Sequence, residues 1–146
     1  TRYNDQVVDA ILARFTDRDA IAVYLSDHGE EVYDYRDFFC RSHDLPLTPE
    51  VCKYQFEIPF MIWMSDTYRR NRPDVAAQVA GALDRPFSAD DLSHLLLDLA
   101  GIRCRWYDPA RSLIGERFDT TRPRPLLMGF EPAGNYETII GRDRKQ

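Results

Sequence analysis

Asp27 and His28 stand side by side and are followed at once by Gly29, Glu30 and Glu31. A carboxylate and an imidazole in adjacent positions can reach one divalent cation, and zinc accepts both oxygen and nitrogen donors in a tetrahedral shell. Two ligands do not close such a shell, so further groups must converge on it. His43, in Arg41-Ser42-His43-Asp44, is the obvious third candidate. Glu30 and Glu31 carry the right atoms but read more simply as surface charge. Gly29 lets the chain turn sharply without a Cβ clash.

The element that presents this group is an apolar run, Ile21-Ala22-Val23-Tyr24-Leu25, which stops abruptly at Ser26. Open α/β sheets place ligands beyond the carboxyl ends of their strands. Near-continuous apolarity predicts a central parallel strand covered on both faces. Before it, Asn4–Phe15 reads as an amphipathic helix with Val7, Val8, Ile11, Leu12 and Phe15 on one face. After it, residues 29–57 show no long periodic element, and loops of that length in a compact domain are usually functional or disordered. Tyr33, Tyr35, Phe38 and Phe39 argue against disorder.

Ile58–Met64 is a second predicted strand, with Pro59 at its start where a missing N–H is tolerated. Ser65-Asp66 opens a helical stretch, and Pro73 suits the first position of the next helix. In Phe87–Gly101, Ser88 and Asp91 have capping-box spacing and Phe87 and Leu92 the placement of a hydrophobic staple. Leu92, Leu95, Leu96 and Leu99 form the expected buried stripe, Gly101 fits the C′ position, and His94 falls just off the stripe. Beyond Ile102, Arg103–Tyr107, Pro125–Phe130 and Tyr136–Ile140 are strand candidates, Asp108–Arg124 reads as loop, and Gly141–Gln146 is a polar tail.

At 146 residues with 44% hydrophobic content, the chain has the size and apolar share of one domain. The net charge is −5 and the arginines are scattered, which argues against a nucleic-acid partner. No apolar run reaches the ~18–20 residues of a membrane span. Cys40, Cys52 and Cys104 lack zinc-ribbon spacing. Cys40 and Cys52 flank one loop and could pair in an oxidising compartment, but three buried thiols are the favoured reading.

Three stretches resemble the alkaline phosphatase/sulfatase superfamily. Tyr24–Asp34 is similar to its strand-end metal motif, Lys53–Ser65 to the apolar strand after the metal loop, and Arg85–Ile102 to its C-terminal helix. Together they resemble most the phosphoethanolamine transferases that modify lipid A or the lipopolysaccharide core. The resemblance covers residues 3–102 and, more loosely, the tail as far as Tyr136. It implies an α/β fold: the C-terminal portion of a doubly wound sheet with flanking helices. All of 1–146 would then be the C-terminal part of one sulfatase-like catalytic domain. It implies that Asp27 and His28 are ligands of a zinc site of one or two ions. His43 would contact the substrate phosphate or a second metal, although its segment departs from the family's commoner His-Gly form.

The family's nucleophile is a Thr on an upstream segment, with another carboxylate ligand further upstream. Thr1, Thr16, Thr48, Thr67, Thr120 and Thr121 are not in that context. The expectation is therefore a piece of a longer enzyme: a periplasmic domain of an inner-membrane protein, itself soluble and inactive alone. The resemblance implies a double displacement that moves phosphoethanolamine from phosphatidylethanolamine to a sugar or lipid A phosphate. A sheet cut in the middle would expose an edge, so self-association is expected, or the loss of the other half. An arylsulfatase or phosphoglycerol transferase of the same superfamily, or a non-catalytic module on the same scaffold, are the alternatives.

Overall fold

The computed structural model describes residues 2–42, 46–129 and 131–141. Two compact units share the chain: Thr1–Tyr24 with Met61–Thr120, and Leu25–Phe60 with Thr121–Gln146.

In the first unit, α1 (Arg2–Leu12) runs into a 3-10 turn over Ala13–Phe15. Its apolar stripe exists but stays open to solvent: Val7, Ile11 and Phe15 are exposed, and no residue of α1 is buried. The strands β1 (Ile21–Leu25) and β4 (Phe60–Met64) form a two-stranded sheet. The Ser65 amide donates to the Ala20 carbonyl, and the Ser26 amide to the Pro59 carbonyl. The start of each strand thus faces the end of the other, so the pair is antiparallel rather than parallel as the apolar run suggested. All five residues of β1 are half-buried.

Ser65 then ends β4 and starts α3 (Asp66–Asn71), its hydroxyl accepting the Tyr68 amide at 3.0 Å. That hydroxyl also donates to the Arg18 carbonyl at 2.6 Å, so one buried serine ties helix start to strand start. Pro73 opens α4 (Pro73–Ala80) at the position where a missing N–H is harmless. The helix α5 (Leu92–Leu99) buries Leu95 fully, while Leu96 is exposed, so the stripe is narrower than expected. Gly101 has φ +67° and closes the helix as its C′ residue. Ser88 makes no side-chain cap; it precedes a 3-10 turn, Ala89–Asp91. His94 is buried, and its Nδ1 accepts the Asp108 amide at 3.0 Å. Arg103–Tyr107 is a turn region, not a strand: the Tyr107 amide donates back to the Cys104 carbonyl.

The second unit holds a short hairpin, β2 (Glu31–Val32) against β3 (Phe39–Cys40). The helix α2 (Pro49–Gln55) follows, in the stretch where the sequence showed no periodicity. Thr48 caps it and Pro49 takes the first helical position. A second hairpin, β5 (Pro125–Met128) with β6 (Glu131–Asn135), is irregular between Leu126 and Leu127. Tyr136–Ile139 is the helix α6, capped by Asn135, rather than the expected strand. Leu47, Val51, Cys52, Met128 and Tyr136 form the core of this unit. The three cysteines are free thiols, and of them only Cys52 is buried.

Candidate functional site

The turn after β1 is held by short side-chain bonds within it and by a backbone bond to α2. The Ser26 hydroxyl donates to the His28 carbonyl at 2.7 Å, and the His28 amide donates to Asp27 Oδ1 at 3.1 Å. The Gly29 amide donates to the Gln55 carbonyl at the end of α2 at 3.2 Å. Gly29 lies so close to α2 that a Cβ there would meet the Tyr54 carbonyl oxygen at 2.3 Å. The sequence reading assigned Gly29 to a sharp turn; its φ is not in the left-handed region, and what excludes a side chain there is the close approach of two backbones.

The side chains this turn presents are accessible. Asp27 is 89% exposed and His28 42% exposed. His28 Nδ1 lies 2.9 Å from the Gly29 carbonyl. A carbonyl can only accept, so in the neutral ring Nδ1 carries the proton and Nε2 keeps its lone pair. That lone-pair nitrogen is 3.7 Å from Asp27 Oδ2, too long for a hydrogen bond. With metal–ligand bonds of ~2.0–2.2 Å and a tetrahedral angle, two zinc ligand atoms lie about 3.4 Å apart. Asp27 and His28 are therefore spaced to share one cation after a small adjustment. A metal-binding histidine commonly ties its other nitrogen to a carbonyl in this way.

Asp27 and His28 bring two metal-capable side chains together. No group of three or more His, Cys, Asp or Glu side chains able to hold a metal occurs among the described residues. His43 lies outside them, as do Asp44 and most of the polar tail.

Beside the turn sits a buried polar network. Glu31 is fully buried, so its reading as surface charge is corrected. Arg36 grips it in a fork, Nε to Oε2 and Nη2 to Oε1, both at 2.7 Å. The Gln55 amide donates to Glu31 Oε1 and, at 3.1 Å, to the Ser42 hydroxyl. Arg36 Nη2 also donates to Ser42 at 3.1 Å. The guanidinium holds the Glu31 carboxyl below its usual range, outweighing the opposing effect of burial. Burial, and then the charge of Glu31, push the Tyr35 phenol up. Glu31 and Arg36 are five residues apart, a spacing that carries no warning in a loop; Gln55 arrives from a separate helix.

Residues 1–102 match the Sulfatase family, and this chain belongs to it. It is 38% identical over 125 residues to phosphoethanolamine transferase EptC of Escherichia coli O18:K1:H7, covering 82% of this chain and 20% of that protein. It is 36% identical over 110 residues to phosphoethanolamine transferase CptA of Salmonella typhimurium, covering 73% of this chain and 18% of the relative. The crystal structure of the C-terminal periplasmic domain of EptC from Escherichia coli superposes with a TM-score of 0.73 at 31% identity, over 97% of this chain and 40% of that one. The same domain has been solved in complex with Zn. The fold is thus that of the sulfatase superfamily. The chain spans about a fifth of the length of these curated relatives.

Proposed function

We propose that this chain carries part of the metal site of a phosphoethanolamine transferase. The single observation that carries this reading is the Asp27–His28 pair, with Nδ1 of His28 committed to a carbonyl and Nε2 left free toward the carboxylate. Its likeness to EptC and CptA supplies the reaction class, and the Zn complex of the EptC domain supports zinc as the metal.

In this reading Asp27 supplies negative charge to the metal and His28 a neutral nitrogen. His43 contacts the substrate phosphate or a second metal. A zinc ion at such a site polarises a phosphoryl oxygen and lowers the pKa of a nearby hydroxyl. The nucleophile is a Thr that this chain does not provide, and the remaining carboxylate ligand belongs to the same absent part. The donor is phosphatidylethanolamine and the acceptor a lipopolysaccharide sugar or a lipid A phosphate. The domain works in the periplasm, tethered to the inner membrane by other parts of the protein; no helix among the described residues is long and apolar enough to cross a membrane.

Zinc titration of the 146-residue chain tests this. Wild type should bind zinc, weakly, and His28→Ala should bind less. Equal binding by the two would refute the site. Turnover of a phosphoethanolamine ester by this chain alone would refute the external nucleophile.

A further inference from the structure

Asp27 and His28 project from a turn whose own side chains bond only within it. What ties the turn to α2 is the backbone contact of Gly29 with the last residue of that helix. That residue, Gln55, is 1% exposed and has two roles at once. Its carbonyl accepts the Gly29 amide, and its side chain is bound to Glu31 and Ser42. Glu31 lies three residues after His28 and is itself locked by Arg36. The segment 26–31 is thus pinned at three points: Ser26 on Pro59, Gly29 on Gln55, and Glu31 inside the network.

We propose that the buried Glu31–Arg36–Gln55 network is a positioning device that fixes the Asp27-His28-Gly29 turn and thereby sets the His28 tautomer. The Gly29 carbonyl that receives Nδ1–H of His28 belongs to the residue whose amide is held by Gln55. If Gln55 shifts, both move. Free imidazole in water favours the Nε2–H form, so a held Nδ1–H form is a measurable departure. A buried ion pair is a poor source of net stability, because desolvation offsets much of its Coulomb gain. A forked Arg–carboxylate pair does give fixed geometry, and groups that orient metal ligands typically change affinity by about 10–100-fold when altered.

The consequence for metal binding rests on the reading of Asp27 and His28 as ligands; the tautomer does not. The test uses the metal-free chain and its zinc-titrated form, comparing wild type, Gln55→Ala, Glu31→Gln and Asp27→Ala. Nitrogen-15 shifts of His28, assigned against His28→Ala, read the tautomer without metal. Wild type should be Nδ1–H, and Gln55→Ala and Glu31→Gln should move toward Nε2–H. Zinc affinity in both should fall by roughly tenfold or more. Gln55→Ala leaves the Glu31–Arg36 pair in place, so it decides the matter where Glu31→Gln fails to melt cooperatively. Folded variants that keep the wild-type tautomer overturn the proposal. A wild type that binds zinc no better than Asp27→Ala overturns the metal site, while the tautomer still decides whether the network positions the turn.

Discussion

Gly29→Ala is the sharpest test of how the turn is built. The added Cβ would lie 2.3 Å from the Tyr54 carbonyl oxygen, 3.0 Å from Gln55 C and 3.1 Å from Tyr54 C. All three are backbone atoms, so no side chain can swing aside. Real Cβ contacts do not fall below 3.0 Å, so the turn and α2 must separate by about 0.7 Å. The 3.2 Å hydrogen bond from Gly29 to Gln55 cannot survive that shift in good geometry. Overpacking of a tight contact costs ~1–3 kcal/mol, and the lost hydrogen bond ~0.5–1.5 kcal/mol. The sum is on the order of 2–4 kcal/mol, a large part of the ~5–15 kcal/mol that holds a domain together. For a chain of this length that lowers Tm by roughly 5–15 °C. Urea and thermal unfolding by circular dichroism measure it, and zinc titration should show weaker binding. A Gly29→Ala protein within about 0.5 kcal/mol of wild type, where ordinary surface substitutions fall, would refute the close-approach argument.

Glu31 should give stability a pH dependence. Its folded pKa lies below the ordinary glutamate value of 4.5, chiefly through the hydrogen bonds from Arg36. The stability it contributes is complete above pH 4.5 and is lost as pH falls through the lowered folded value. Acid titration of unfolding should therefore show a slope in that window that shrinks in Glu31→Gln; identical profiles would refute the pairing. Thr48→Ala removes the cap that accepts the Val51 amide at 3.3 Å and should destabilise by ~1 kcal/mol in urea unfolding. The open stripe of Val7, Ile11 and Phe15 on α1 should drive self-association, and light scattering of a clean monomer at high concentration would count against it.

Much of the fold could be read locally. The apolar runs of β1 and β4, Ser65 as a helix start, Pro73 at a first helical position and Gly101 at a helix end are all set by neighbouring residues. They needed no knowledge of the rest of the chain. Other features escaped for identifiable reasons. The helix α2 has seven residues, under two turns, too short for a periodicity to show. Its Thr48-Pro49 start was the available signal. Tyr136–Ile139 has the β-branched residues of a strand, yet the Asn135 side chain accepts the Glu137 amide and turns it into a helix.

The sequence by itself determined the family likeness, the strand that ends in Asp27-His28-Gly29, and which side chains could bind metal there. Tertiary structure alone decided that β4 runs antiparallel to β1, because strand direction is set by the path of the connection and not by apolar content. It alone decided that Glu31 is buried while Glu30, beside it, is exposed. Both are acidic residues in one short run; the difference is that Arg36 and Gln55 meet Glu31 inside the unit. It also decided the state of His28. Which ring nitrogen faces Asp27 depends on the carbonyl that lies against the other, and that carbonyl is where it is because Gly29 rests on α2.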